Sequence, residues 1–363
     1  MKVNRSRLKT LLKEMTDIYS PSGKEEALLR FLCGYLGEQG FSFIRQPVSG
    51  NRFNIILRSP GRGGEFLFAG HLDTVSAYDI EEYGFSERRG TVKGLGVADM
   101  KGGCAAMIEA FLRYAESAGG AFPATLALVV GEEENSDGMR KLLEEHSFSR
   151  AIVGEPTDMR PCTGHYGYAE IELVLSGERR HASLSCVKNN ATYSMLRMLP
   201  EIISYLDTFE GKVRSNIRDL HSSEAGFAVP ERCSAWLDVH VHPNIPIKRI
   251  IPRLKGKAVR SIEGLGIRKK ALALNSQVHP GYDLSPAWKG FSRIRLALEN
   301  NGIPWEPSLF ESHSDAAYMR PAGIKPVVFG PGRLSRAHTR NESVPFSQVA
   351  RAAQVYLDVL RRI

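Results

Sequence analysis

Short apolar segments recur through the first half of the chain, and each one ends at an acid or a histidine. The residues that follow them are HLD at 71–73, VAD ending at Asp99, GEE at 131–133 and GEP at 154–156. Segments with a helical period, such as CAAMIEAFLRYAE, lie between them. This alternation predicts an α/β fold with parallel strands.

The carboxyl ends of parallel strands face the functional crevice of an open sheet, so we expect these polar groups to converge there. Carboxylates crowded together repel one another and lose hydration, which a bound cation would offset. Three acids and two histidines suit two ions better than one. Mixed imidazole and carboxylate ligands favour zinc, with cobalt and manganese as alternatives. The candidates are His71, Asp99, Glu133, Glu155 and His338.

The pattern changes after residue 168. YAEIELVLSG and SAWLDVHVH are typical of strands, the second with strict alternation, and ATYSMLRMLPEIISYL is typical of a helix that Pro200 could interrupt. A small α+β module inserted into the first domain explains this order. We therefore predict a catalytic domain formed by residues 1–168 and 277–363, with an inserted domain at 169–276.

Composition excludes several classes of function. The net charge is +8, but the basic residues are dispersed and no aromatic-plus-basic motif accompanies them, so we expect no nucleic-acid partner. No apolar run has the length of a signal peptide or a membrane span, which predicts a cytoplasmic protein with no membrane partner. The five cysteines form no CxxC pair and are expected to be reduced. HExxH, GxSxG and P-loop motifs are absent from the sequence.

The whole series of motifs resembles that of the co-catalytic zinc amidohydrolases. The matching segments are HLDTV, GLGVADMKGG, GEEENSDG, GEPT, SGERRHAS, SDA and AHTRNE. This family includes acetylornithine deacetylase, succinyl-diaminopimelate desuccinylase, glutamate carboxypeptidase and aminoacylase. The resemblance implies a zinc-peptidase-like catalytic domain with a mixed, largely parallel sheet flanked by helices. It also implies an inserted ferredoxin-like α+β domain that acts as a lid and dimerisation domain.

The resemblance assigns a role to each candidate ligand. Asp99 would bridge two divalent metal ions. His71 and Glu155 would complete the protein ligands of one ion, and Glu133 and His338 those of the other.

The resemblance also assigns the catalytic residues. Glu132 would be the general base that takes a proton from a water held between the metals, and the resulting hydroxide would attack an amide carbonyl. Asp73 would hydrogen-bond the distal nitrogen of His71. His181 would be a lid donor that reaches the partner subunit of a homodimer. A cis peptide is implied at Asp99–Met100.

Three departures from the family pattern concern the substrate. Phe227 stands where an asparagine is usual, His240 stands where an arginine is usual, and His313 precedes SDA. His313 and Arg333 are therefore candidate substrate contacts. An N-acyl amino acid is the first expected substrate class, and a dipeptide or other short peptide is the alternative. A metal-binding protein without catalysis and a basic nucleic-acid-binding protein are the remote alternatives.

Overall fold

The computed structural model describes residues 1–59, 65–77, 81, 83–119, 121–186 and 190–363. Two compact units divide the chain. The first contains residues 1–164, 284–310 and 314–363, and the second contains residues 165–283 and 311–313. None of the described helices combines the length and the apolar character that a membrane crossing requires.

The first unit is built from helices around one large sheet, with elements numbered in chain order. Its helices are α1 (Arg5–Asp17), α2 (Glu26–Glu38), α3 (Lys101–Ala118), α4 (Asp137–Glu145), α7 (Ser292–Asn300), α8 (Ala316–Met319) and α9 (Phe346–Leu360). Its main strands are β1 (Ile44–Ser49), β2 (Arg52–Leu57), β3 (Phe66–His71), β6 (Thr125–Val129), β7 (Arg150–Val153), β8 (Cys162–His165), β14 (Ser308–Phe310) and β15 (Lys325–Val328). A small separate sheet contains β4 (Ser86–Arg88), β5 (Thr91–Lys93) and β16 (Ser343–Pro345).

The centre of the large sheet is parallel. Within the first unit the strand order is β1-β2-β6-β3-β7-β15-β8, with β14 paired to β8. Strand β3 runs parallel to β6 and β7, and β15 runs parallel to β7, whereas β1, β2 and β8 join antiparallel at the edges. Every residue of β3 and β6 is buried, as expected for strands covered on both faces. The predicted mixed, largely parallel sheet flanked by helices is confirmed.

The second unit is an antiparallel sheet packed against two helices. Its elements are β9 (Gly167–Ser176), α5 (Ala191–Asp207), β10 (Val213–Ser222), β11 (Arg232–Val241), α6 (Ile247–Gly264), β12 (Leu272–His279) and β13 (Tyr282–Asp283). The four long strands have the order β10-β11-β9-β12. Alternate residues of β11 point into an apolar core shared with α5 and α6. Pro200 lies inside α5 without ending it.

The boundaries of the second unit differ from the predicted ones. Residues 168/169 and 276/277 were predicted as boundaries, yet both positions lie within strands. Strand β9 begins at Gly167, and its pairing with β12 continues as far as Tyr168 and His279. Because a strand is held by pairing along its length, both strands stay whole in the second unit, which also contains residues 311–313.

Candidate metal centre

The parallel strands deliver the candidate residues to one edge of the sheet. His71 is the last residue of β3 and pairs with Val129, the last residue of β6. Glu132 and Glu133 follow β6 within one turn, and Glu155 follows β7 by two residues. Parallel strands that end together place their next residues side by side, which is why positions far apart in sequence meet here.

The five predicted ligands form two groups that share one residue. In each group the ligand atoms of three residues lie within 4.8 Å of one another. The first group is His71, Asp99 and Glu155, and the second is Asp99, Glu133 and His338. Nε2 of His71 lies 3.3 Å from Oδ1 of Asp99, and Nε2 of His338 lies 3.5 Å from Oδ2 of the same carboxylate. Asp99 therefore presents one carboxylate oxygen to each group.

The loop that carries Asp99 is fixed by Glu342, a residue that the sequence did not single out. Oε1 of Glu342 accepts hydrogen bonds from the main-chain N–H groups of Ala98 and Asp99 at 2.9 and 3.0 Å, and Oε2 accepts one from Gly96 at 2.9 Å. The Asp99–Met100 peptide is cis, as predicted. Glu342 belongs to the same AHTRNE segment as His338, and this was the only signal in the sequence that could have drawn attention to it.

Asp73 contacts a different partner from the one expected. Nδ1 of His71 lies 3.0 Å from the main-chain oxygen of Asp73, whereas the Asp73 carboxylate lies 3.7 Å away. The peptide oxygen therefore orients the His71 ring, and the predicted bond to the carboxylate is wrong. The carboxylate instead accepts hydrogen bonds from the main-chain N–H groups of Glu132 and Glu133 at 3.1 and 3.0 Å. Asp73 thus positions the two glutamates after β6.

The acids at this site are crowded and buried. Burial raises the pKa of Glu133, and it raises the pKa values of Glu132 and Glu155 well above the usual glutamate range, with nearby carboxylates raising all three further. Burial also raises the pKa of Asp315, near Glu132, to about 7. Among the described residues, the imidazoles of His71 and His338 lie against these acids and lower the pKa of Asp99 to about 2, but the pKa values of the three glutamates stay raised, so the two imidazoles offset only part of the negative charge.

Two divalent cations fit this donor set. They would supply the missing positive charge, and each would meet one imidazole and two carboxylates. Oε1 of Glu155 is buried and has no hydrogen-bond partner within the described residues, which suits an oxygen that binds a metal. Nδ1 of His71 bonds a peptide oxygen, the usual arrangement for a histidine that binds metal through Nε2.

The remaining predicted residues have other surroundings. In the first unit, Nε of Arg333 lies 3.0 Å from the carboxylate of Asp158, and the Arg333 side chain is 66% exposed. In the second unit, His181 lies on an exposed segment where its Nδ1 is 2.8 Å from the Ser183 hydroxyl. Also in the second unit, the ring centre of His313 lies 4.6 Å from that of His279.

The chain is similar to known proteins in sequence and in fold. An acetylornithine deacetylase from Pectobacterium carotovorum is 26% identical over 340 residues, covering 87% of this chain and 85% of the relative. A probable carboxypeptidase from Neosartorya fischeri is 26% identical over 399 residues, covering 99% and 87%. The crystal structure of a tripeptidase from Staphylococcus aureus superposes with a TM-score of 0.79 at 18% identity, covering 100% and 99% of the two chains.

A family model also matches most of the chain. The model of peptidase family M20/M25/M40 matches residues 67–362. This range contains all five candidate ligands and Glu132. The chain therefore belongs to peptidase family M20/M25/M40 and is a metal-dependent hydrolase of amide bonds.

Proposed function

We propose that the protein hydrolyses the amide bond of a small N-acyl amino acid with the help of two divalent metal ions. The observation that carries this proposal is that Asp99 belongs to both ligand groups, with Glu132 beside them. Zinc is the first candidate for both ions, because imidazole and carboxylate ligands suit it. The similarity to an acetylornithine deacetylase over 87% of the chain supports the substrate class.

The metal ions and Glu132 have different roles in the proposed reaction. When bound, the metal pair supplies Lewis acidity, which acidifies a water molecule and polarises an amide carbonyl. Glu132 takes the proton of the attacking water and later delivers it to the leaving nitrogen. Its Oε2 lies 3.8 Å from Nε2 of His71, so the carboxylate is beside the ligands and its backbone is held by Asp73.

A further donor comes from a second chain in this proposal. We infer a homodimer formed through the second unit, in which His181 of the partner subunit donates a hydrogen bond to the developing oxyanion. The ring of His181 is exposed, and Nδ1 accepts from the main-chain N–H of Ser183 at 3.3 Å. Since Nδ1 is the acceptor in that contact, the N–H of the ring lies on Nε2, which can donate to an oxyanion.

Two side chains are retained as substrate contacts. His313 would contact the substrate as a neutral imidazole, because burial and the neighbouring histidines hold its pKa well below the usual histidine value. Arg333 would bind a substrate carboxylate with the N–H groups that Asp158 does not use, since a guanidinium has five donors. Burial also lowers the pKa of His240, the residue that stands where an arginine is usual.

Hydrolysis of a dipeptide or other short peptide is the second candidate function. The carboxypeptidase relative covers 99% of this chain, more than the deacetylase does, and it is equally identical. The two functions share the same metal centre and the same base, because each breaks an amide bond. Their substrates differ in the group attached to the carbonyl carbon of the amide bond that is cleaved.

A substrate panel tests the proposal directly. Protein loaded with zinc, cobalt or manganese is incubated with N-acetyl amino acids, N-succinyl amino acids and dipeptides, and the released amine is measured. We expect an N-acyl amino acid to give a kcat/KM at least about tenfold above that of any dipeptide. The reverse order would favour the peptidase, and no turnover of any amide would reject both functions.

The Glu132→Gln variant tests the proposed base. It keeps the size of the side chain and removes its ability to accept a proton, so kcat should fall by about 100-fold to about 10,000-fold. Metal content, measured by inductively coupled plasma mass spectrometry, should remain that of the unaltered protein. Full activity in this variant would reject the role of Glu132, and a loss of metal would show that Glu132 is a ligand instead.

A further inference from the structure

Side chains of strand β2 hold the loop that carries Glu132 and Glu133. This loop, residues 130–136, connects β6 to α4. It closes on itself because the main-chain N–H groups of Asn135 and Ser136 both donate to the oxygen of Gly131, at 3.1 and 2.6 Å. Asp73 holds the backbone of Glu132 and Glu133 on the side of the ligands. A second set of contacts joins residues at the two ends of the loop to strand β2.

Arg52, the first residue of β2, is the centre of that second set. Its guanidinium donates to both carboxylate oxygens of Glu25 at 2.9 and 2.8 Å, and to both oxygens of Asp137 at 2.5 and 3.1 Å. It also donates to the hydroxyl of Ser49 at 3.1 Å. A guanidinium has five N–H groups, so all of them are used. The Glu25 side chain is fully buried, that of Arg52 is 16% exposed and that of Asp137 is 29% exposed, so solvent screens the Glu25 pair less than the Asp137 pair.

The Arg52–Asp137 pair lies directly against the loop backbone. Gly131 has a positive φ of 75°, and a Cβ added there would lie 2.0 Å from Oδ1 of Asp137 and 2.5 Å from Nη2 of Arg52. Such distances leave no room for a Cβ unless the ion pair shifts, and a positive φ is strained for residues other than glycine. Both the space and the backbone conformation therefore favour glycine at this position. Gly131 immediately precedes Glu132, so the ion pair lies against the residue next to the proposed base.

Asn54 provides a second connection between strand β2 and this loop. Its Nδ2 donates to the main-chain oxygen of Gly138 at 2.8 Å, and its Oδ1 accepts from the N–H of Val130 at 3.3 Å. Residues 52 and 54 lie on the same face of β2, because side chains alternate along a strand. The strand therefore contacts both ends of the loop, through Asn54 at the backbone and through Arg52 at Asp137.

We propose that Arg52 is a positioning residue for the reaction, acting through Asp137 and Gly131 on Glu132 and Glu133. The proposal rests on the proposed role of Glu132 as general base and of Glu133 as a metal ligand. Arg52 itself would touch neither substrate nor metal. Its planar fork matters more than its charge, because only a fork can engage two carboxylates with paired hydrogen bonds.

The Arg52→Lys variant keeps the charge and removes the fork. We expect kcat for the best substrate of the amide panel to fall by about tenfold to about 100-fold with little change in KM, because a small displacement of Glu132 affects the transition state. Arg7→Lys is the matched control. Arg7 also forks onto a buried acid, Glu109, with 18% of its side chain exposed, but it joins α1 to α3. This control should lose stability while keeping its kcat.

Cobalt titration by calorimetry provides a readout that does not depend on turnover. One of the two ions should bind about tenfold to about 100-fold more weakly to the Arg52→Lys variant, because Glu133 belongs to only one ligand group, and the other should bind as before. Arg7→Lys should bind both ions like the unaltered protein. Unchanged cobalt affinity together with unchanged kcat would overturn the proposal.

A double-mutant cycle identifies the path of the effect. If Arg52 acts through Asp137, then Asp137→Asn and Arg52→Lys together should lower cobalt affinity little more than either change alone. Additive losses would mean that Arg52 acts by another route. If the Glu132→Gln protein is inactive and the separate Arg52→Lys protein is fully active, this inference is rejected and the proposed function stands. A fully active Glu132→Gln variant would reject the proposed function instead.

Discussion

A single buried carboxylate connects the ends of two strands at the metal centre. Asp73 accepts hydrogen bonds from the hydroxyl of Ser22 at 2.6 Å and from the main-chain N–H groups of Glu132 and Glu133. Its own main-chain oxygen bonds Nδ1 of His71. The ligand after β3 and the two acids after β6 therefore share one anchor. Geometry at the site depends on this residue, although its carboxylate is not in either ligand group.

A single buried histidine, His165 at the end of β8, should make the stability of the protein depend on pH. The His165 ring is fully buried, and its Nδ1 lies 2.6 Å from the main-chain oxygen of Tyr166. Burial lowers the pKa of His165 from the usual 6.5 to about 4. The unfolded chain therefore binds a proton at a higher pH than the folded one. Above about pH 6.5 this histidine is neutral in both states and the free energy of unfolding does not depend on it. As the pH falls from about 6.5 towards about 4, only the unfolded chain gains the proton, so the free energy of unfolding decreases.

The resulting prediction concerns the pH dependence of unfolding. Between about pH 7 and about pH 4, His165 should make the free energy of unfolding fall by about 3 kcal/mol. The His165→Gln variant should lose this part of the slope in urea unfolding monitored by circular dichroism. His221→Gln, at an exposed position of β10, is the control and should keep the slope. Equal slopes in the protein and in the His165 variant would contradict the prediction.

The convergence of the candidate ligands could be predicted from the sequence, but the hydrogen bonds that position them could not. His71, Asp99, Glu133 and Glu155 each follow an apolar segment, and the order of the sheet then brings them together. The hydrogen bonds of Asp73 could not be read, because their donors lie 59 and 60 residues further along the chain. A local spacing such as HxD cannot reveal whether the carboxylate bonds its own neighbour or a distant loop.

At the scale of elements, helix α3 must approach β7 closely for the two to deliver Asp99 and Glu155 to the same place. Gly103 of α3 makes this possible. A Cβ added to Gly103 would lie 2.2 Å from the main-chain oxygen of Gly154, the residue between β7 and Glu155. Backbone lies directly against backbone at this point, so neither element can yield by rotating a side chain.

Gly103→Ala should therefore lower the free energy of unfolding by about 1–3 kcal/mol, because the added methyl group overpacks the contact. Gly34→Ala is the matched control. Gly34 is also within a helix, α2, and nothing lies within 4 Å of a Cβ added there. Alanine at this position should raise the free energy of unfolding by about 0.5–1 kcal/mol. Equal effects of the two changes in urea unfolding would show that the close approach does not matter.

Elements with an apolar face were predictable, whereas those defined by a neighbour were not. Strand β11 alternates strictly and was predicted, but its partner β10 was missed. The sequence of β10 is VRSNIRDLHS, and most of its residues are exposed, so it has no buried face to give a period. It is a strand because it pairs with β11 along its length at the edge of the sheet. Such an element is fixed by tertiary pairing rather than by its own residues.

At the scale of the whole molecule, the remaining question is whether one chain is sufficient for the reaction. The proposed base and all five candidate ligands belong to the first unit, and the proposed lid donor His181 belongs to the second. If His181 acts on the partner's site, each active site of a dimer draws on two chains. A two-fold symmetric dimer would then contain two such composite sites.

Mixing two inactive variants tests this arrangement. Glu132→Gln lacks the base and His181→Ala lacks the donor, so neither homodimer should have a complete site. A heterodimer would have one site with both defects and one with neither. Unfolding and refolding a one-to-one mixture should therefore restore about a quarter of the activity of the unaltered protein, since half of the dimers would be mixed. Activity would stay absent if His181 served its own chain, and the His181→Ala protein alone would be fully active if His181 had no role.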